Sequence, residues 1–105
     1  MTYELKKYWV YVAWIRNSQF PKEDQDGELP SVILIESGNQ EEAKAWGDQM
    51  FSDTLSRVST LEFLYSEVHR PDDARYCGFK GKELNMWEST PRCRVGQKLA
   101  EEDLI

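Results

Sequence analysis

Hydrophobic residues are densest between positions 8 and 16, where the sequence reads YWVYVAWIR. Alternate residues of this stretch form two rows, and neither row is polar. The first row contains Tyr8, Val10, Val12 and Trp14, and the second contains Trp9, Tyr11, Ala13 and Ile15. Aromatic and β-branched residues favour a strand, and a strand that is apolar on both faces needs cover on both. We therefore predict a central strand that starts near Leu5 and ends near Arg16.

Two further strands and one helix follow from the same pattern. The run SVILIE at residues 31–36 predicts a buried second strand, and LEFLYSEV at residues 61–68 predicts a third strand with one buried face. Between them, apolar residues recur at steps of three and four, which predicts an amphipathic helix that ends near Val58. We expect Asn39 to cap this helix. We also expect Gly47, beside Trp46, to allow close packing against the sheet.

These elements predict an α+β fold with a three- to four-stranded, mainly antiparallel sheet and one main helix on one face. The second and third strands form a βαβ unit, and the first strand fills the gap between them, in the order 2-1-3. This is a split β-α-β arrangement, half of a ferredoxin-like sandwich. Residues 75–79 are a candidate for a fourth strand, and residues 89–96, STPRCRVG, are a loop or an edge strand. Residues 17–30, which include two prolines and a glycine, are expected to be a long acidic loop.

The chain of 105 residues is expected to form one domain, 1–105. Within it, residues 74–105 are an irregular extension that lies over the second face of the sheet or at an interface. No apolar run reaches the roughly 18 residues that a transmembrane helix needs, and none has the cleavage site of a signal peptide. We therefore expect a cytoplasmic protein without a membrane partner.

Charge is distributed unevenly along the chain. Residues 17–53 contain nine acids and two lysines, whereas residues 75–98 contain six bases and two acids. Bases interleaved with aromatic residues can hold single-stranded nucleic acid through stacking and phosphate contacts. The candidate residues for this binding are Tyr76, Phe79, Lys80, Lys82, Trp87, Arg92 and Arg94. The net charge of −6 disfavours this function, because affinity for phosphate depends on positive charge.

Patterns for catalysis and for metal binding are weak. The single histidine, His69, follows the third strand, where a surface position is commoner than a catalytic base. Cys77 and Cys93 match no redox or zinc spacing. The two cysteines and His69 are candidates for a metal or thiol site, although reduced thiols are the simpler expectation in the cytoplasm. We predict no catalytic residue and no cofactor.

Aromatic residues exceed what one small core needs. The chain contains four tryptophans and five tyrosines, and both types are enriched at interfaces. One row of the first strand faces the helix, and the other is covered by residues 74–105 or by a partner. The candidate interface residues are Tyr8, Trp9, Tyr11 and Trp14. We therefore predict a small acidic binding or regulatory protein that acts through protein–protein contacts, with a second copy of the chain as one candidate partner.

Overall fold

The strand predicted from YWVYVAWIR lies inside the sheet and has a neighbour on each side. This computed structural model describes residues 7–21, 27–70 and 90–104. The elements, in chain order, are β1 Tyr8–Asn17, β2 Glu28–Glu36, α1 Gln40–Leu55, β3 Leu61–His69, β4 Arg92–Arg94 and α2 Glu101–Leu104. Both β2 and β3 run antiparallel to β1. They are therefore parallel to each other, and α1 connects them across β1.

The sheet confirms a small α+β domain with one main helix but differs in detail from the predicted sheet. Its order is β3-β1-β2-β4, so a fourth strand extends the predicted order of three. β4 pairs in parallel with residues 34–36 of β2, which makes the sheet mixed rather than mainly antiparallel. The fourth strand is short and runs from Arg92 to Arg94. The predicted strand at residues 75–79 lies outside the described residues.

β2 begins at Glu28, three residues earlier than the sequence pattern indicated. Leu29 and Pro30 are exposed and interrupt the apolar pattern, but they pair with Ile15 and Trp14 of β1. A proline is tolerated in a strand that has an unpaired side. β4 pairs only with residues 34–36, so within the described residues β1 is the sole strand neighbour of Pro30. Pairing with β1 thus shortens the predicted loop of residues 17–30 at its C-terminal end.

α1 begins where the capping residue predicts and ends earlier than the apolar spacing suggested. Asn39 Oδ1 accepts hydrogen bonds from the backbone N–H groups of Glu41 at 2.8 Å and Glu42 at 3.2 Å. The helix ends at Leu55 rather than Val58. The N–H group of Val58 instead bonds to the carbonyl of Leu55, three residues back. This is the tighter bonding pattern common at the last turn of a helix.

The two rows of β1 belong to two separate apolar clusters. Trp9, Tyr11, Ala13 and Ile15 pack with buried residues of α1, including Met50 and Phe51. Tyr8, Val10 and Val12 form the second cluster with Leu34, and Trp14 and Val32 pack against it. Val10, Val12 and Leu34 are fully buried. The chain therefore buries the centre of its second sheet face without a partner.

Candidate functional site

Three of the four residues predicted to form an interface lie inside the fold. Tyr8 and Trp9 are each 9% exposed, and Tyr11 is fully buried. Trp9 and Tyr11 belong to the cluster under α1, and Tyr8 belongs to the cluster on the opposite face. Trp14 is partly exposed. Burial leaves Trp14 as the one member of the predicted set that a partner can contact.

Trp14 forms an ordered aromatic pair with Tyr65 of β3. The two residues lie opposite each other in the β1–β3 pairing, and their rings stack with centroids 6.1 Å apart and planes at 24°. Trp14 Nε1 also donates a hydrogen bond of 2.6 Å to Glu67 Oε2. Tyr65 is 52% exposed. Tyr65 therefore exposes a ring that stacks on Trp14, and the Trp14 ring is already held in one orientation.

Leu64 extends this apolar surface along β3. The pairing with β1 shifts register, so that Trp14 is opposite Tyr65 while Ile15 is opposite Phe63. Leu64 is the extra residue of this irregularity and is 36% exposed. Such a bulge is a common way to re-aim a side chain. We refer to Trp14, Leu64 and Tyr65 as the edge patch, because β3 is an edge strand of the described sheet.

Only two of the seven residues predicted to contact nucleic acid lie in the described part of the chain. Those outside it are Tyr76, Phe79, Lys80, Lys82 and Trp87. The guanidinium carbon of Arg92 lies 5.4 Å from the centre of the Tyr8 ring. Arg94 is exposed and lies opposite Glu36 in the β2–β4 pairing. Because the Tyr8 ring is buried, it offers little free face for a base to stack on.

His69 and Cys93, two of the three candidates for a metal or thiol site, lie far apart. His69 is on β3 opposite Val10, whereas Cys93 is on β4 opposite Ile35, whose partner on β1 is Trp9. Three strand spacings of about 4.8 Å separate the two edges, roughly 14 Å in all. Val10 and Trp9 point to opposite faces, so His69 and Cys93 do as well. They therefore cannot ligate the same ion, and Cys77 lies outside the described residues.

The chemistry of Cys93 is that of a core residue. Its side chain is buried in the cluster under α1, and burial raises the pKa of its thiol to about 11. The thiolate is the reactive and metal-binding form of cysteine, so this thiol is poorly suited to either role at neutral pH. Across the described ranges 7–21, 27–70 and 90–104, no three His, Cys, Asp or Glu side chains are grouped as a metal site requires.

A polar cluster between α1 and the sheet is the feature that sequence reasoning missed. Asp48 Oδ1 accepts hydrogen bonds from the Tyr11 hydroxyl at 2.7 Å and from the Ser66 hydroxyl at 2.5 Å. Lys44 Nζ lies 3.0 Å from Asp48 Oδ2 and donates to Ser66 Oγ at 2.7 Å. The spacing of Lys44 and Asp48, four apart on one helix, was the only available signal. Their partners come from two different strands.

The charge state of this cluster indicates a structural role. Burial raises the pKa of the Tyr11 hydroxyl, and its hydrogen bond to Asp48 raises it further. Burial also opposes ionisation of Asp48, but hydrogen bonds from Ser66, Tyr11 and Lys44 outweigh this cost and hold its pKa below the usual value. Lys44 pairs with the Asp48 carboxylate and donates to Ser66 Oγ, so it serves as a hydrogen-bond donor within the cluster. The cluster fastens the helix to β1 and β3.

The described helices offer no membrane-spanning segment, since none combines the necessary length with a sufficiently apolar sequence. Comparisons with models of known families, with curated proteins and with solved structures find no match to this chain. Among the described residues, the feature with the clearest functional geometry is the edge patch.

Proposed function

We propose that this chain is a small cytoplasmic protein-binding module without catalytic activity, and that it contacts its partner through the edge patch. The observation that carries the proposal is the stacking of Tyr65, half exposed, on Trp14, whose indole N–H is bonded to Glu67. Tyrosine and tryptophan dominate the binding energy of many protein interfaces. An exposed aromatic pair that is held in place by a hydrogen bond is the arrangement that such an interface uses.

Preorganisation is the physical advantage of this patch. A side chain that is ordered only on binding costs about 0.5–1.5 kcal/mol of affinity. Trp14 avoids most of this cost because the Glu67 hydrogen bond and the Tyr65 ring already hold it. Leu64 adds apolar area beside the pair. Removal of Tyr65 should therefore reduce binding more than removal of an exposed apolar residue elsewhere.

The state of the candidate reactive groups supports a non-catalytic role. The Cys93 thiol is buried with a raised pKa, and Ser66 is held by the Lys44–Asp48 ion pair. His69 Nε2 lies 3.4 Å from Glu67 Oε1 on the same strand. None of these three positions combines a nucleophile with a free base.

A second copy of the chain is the first partner to test. Size-exclusion chromatography with light scattering, over a wide range of protein concentration, should show a mass that rises above that of the monomer. Tyr65→Ser should stay monomeric. Val95→Ser is the matched control, because Val95 is 36% exposed, like Leu64, but follows β4. A monomer at every concentration would exclude self-association and leave a different protein as the partner.

Immobilised wild type, Tyr65→Ser and Val95→Ser, in equal amounts, test whether the partner is a different protein. The wild type and Val95→Ser should retain the same protein from a lysate, and Tyr65→Ser should lose it. If Tyr65 affects neither self-association nor capture, the proposed function is wrong. Binding of a single-stranded oligonucleotide that weakens steeply as salt rises would instead support nucleic-acid binding by residues 75–98.

A further inference from the structure

A cleft opens at the end of the sheet where β1 ends and where β2 and β3 begin. Its volume is about 290 Å³. Its described lining is mainly apolar and includes Ile15, Leu29, Pro30, Leu61, Leu104 and Asp103. Leu29 is the most exposed large hydrophobic residue of the described chain, at 62%. The edge patch plays no part in this lining.

The walls of the cleft are held in place by packing and by hydrogen bonds. Leu104 is 1% exposed, and its carbonyl accepts a hydrogen bond from Ser31 Oγ, which ties α2 to β2. Ile15 and Leu29 lie opposite each other in the β1–β2 pairing. Gly27, another lining residue, lies so close to Phe20 that a Cβ at position 27 would be 2.8 Å from the Phe20 Cβ. These contacts fix the described walls of the cleft relative to one another.

Among the described residues, the exposed charges beside the cleft on α2 are acidic. The nearest described base, Arg16, is 8% exposed and donates to the Phe20 carbonyl. Asp103 is the only charged residue of the described lining, and no described lining residue is basic. Glu101 and Glu102 lie on the same turn of α2 as Asp103, and all three are exposed. An apolar cavity with an acidic rim complements an apolar group that carries positive charge beside it.

The size of the cleft narrows the class of occupant. Small-molecule sites usually have volumes of about 300–1,000 Å³ and bury most of their ligand. This cleft lies at the lower limit of that range and is open on one side. It suits one large side chain better than a whole enclosed ligand. The lining supplies few polar groups, since Ser31 Oγ is already bonded to the Leu104 carbonyl.

We propose that the cleft receives a large apolar side chain of a partner protein, flanked in the partner's sequence by lysine or arginine. This inference rests on the proposed function and adds a second contact, which selects for a basic segment. The apolar side chain enters between Leu29, Leu61 and Leu104, and the flanking cations lie near Asp103 and Glu102. Exposed ion pairs contribute little affinity each, so the apolar contact dominates and the charges determine which segments are accepted.

The test is a titration of the isotope-labelled chain with short peptides, followed by amide chemical shifts. The probe is acetyl-Lys-Trp-Lys-amide, and its matched controls are the same peptide with glutamate in place of lysine and with alanine in place of tryptophan. We expect the basic tryptophan peptide to shift Leu29, Leu61 and Leu104, and both controls to bind more weakly. Its affinity should fall as salt rises.

Variants of the chain locate the contact. Leu29→Lys should abolish the shifts at the cleft, whereas Val95→Lys, an equally charged change at an exposed apolar site away from the lining, should leave them. Asp103→Asn should weaken binding by up to about fivefold. Glu41→Gln, an exposed carboxylate in the first turn of α1, beyond the far end of β2, should have no effect. Since Leu29, Val95, Asp103 and Glu41 are all exposed, these variants are expected to fold.

Tyr65→Ser separates this inference from the proposed function. It should bind the peptide like the wild type while losing association through the edge patch. If the peptide does not shift cleft residues, or if the acidic peptide binds as well, the inference is overturned even where Tyr65-dependent association persists. Shifts of Leu29 and Leu104 that appear when the chain alone is concentrated would identify a second copy as the occupant and also overturn it.

Discussion

Gly47 lies so close to the ring of Tyr11 that a Cβ at position 47 would overlap the ring atoms Cε2 and Cδ2. This contact brings α1 onto the central strand next to Asp48, which accepts the hydrogen bond of the Tyr11 hydroxyl. Glycine inside a helix costs about 1 kcal/mol relative to alanine. The close approach of helix and strand offsets this cost and explains a glycine in the middle of α1.

Gly47→Ala should therefore destabilise the protein although alanine is the better helix former. The added methyl group must push the helix away from Tyr11, and overpacking of this kind costs about 1–3 kcal/mol. Urea denaturation measures the effect as a fall in the free energy of unfolding. Gly38→Ala is the control, because nothing lies within 4 Å of a Cβ at position 38. Similar stability of the two variants would contradict the steric explanation.

Tyr11→Phe should lower the free energy of unfolding by about 1.5–3 kcal/mol, since it removes a hydrogen bond to a carboxylate. The ring contact with Phe51, at a centroid distance of 5.4 Å, is kept. Chemical denaturation at neutral pH is the measurement, with Tyr65→Phe as the control on an exposed ring. We expect the control to stay within about 0.5 kcal/mol of the wild type. An equal loss in both variants would show that the Asp48 bond does not matter.

Asp48 should contribute to stability at neutral pH and lose this contribution in acid. Its folded pKa lies below the usual value of an aspartate, so the unfolded state binds a proton first as the pH falls. The contribution is complete above the unfolded value and disappears as the pH falls through the lower folded value. Asp48→Asn should be less stable than the wild type at pH 7, and the difference should narrow towards acid. A difference that is constant with pH would refute this assignment.

Cys93 should react slowly with thiol reagents in the folded protein. Burial restricts access to it and raises the pKa of its thiol to about 11, so little thiolate exists at neutral pH. The measurement is the rate of modification by a disulfide reagent in a Cys77→Ser background. The same protein in denaturant is the control and should react fully and fast. Rapid modification of the folded form would mean that Cys93 is accessible.

Several elements could be predicted because short-range patterns specify them. The two apolar rows of β1, the Asn39 cap and the glycine that faces the sheet all depend on residues within a few positions of one another. The predicted start of β2 was wrong because distant partners decide it: residues 28–30 pair with β1. The sequence leaves residues 89–96 open between a loop and an edge strand, and pairing with residues 34–36 of β2 decides for a strand at Arg92–Arg94.

The candidate site shows the same division. The sequence predicted that aromatic residues of β1 form an interface. The aromatic residues of β1 have similar sequence surroundings, so only their burial in the folded protein shows which of them are core residues. Tyr8, Trp9 and Tyr11 are core residues, whereas Trp14 reaches the surface beside Tyr65, which is 51 positions further along the chain. The cluster at Asp48 likewise combines residues of α1, β1 and β3.

The sequence by itself determined that a strand apolar on both faces must lie in the middle of the fold and be covered twice. Only the tertiary structure decided which row meets the helix and that the chain buries the centre of the other. The reason is physical: periodicity specifies how side chains alternate along a strand, whereas cover, register and exposure depend on contacts between residues far apart in the chain.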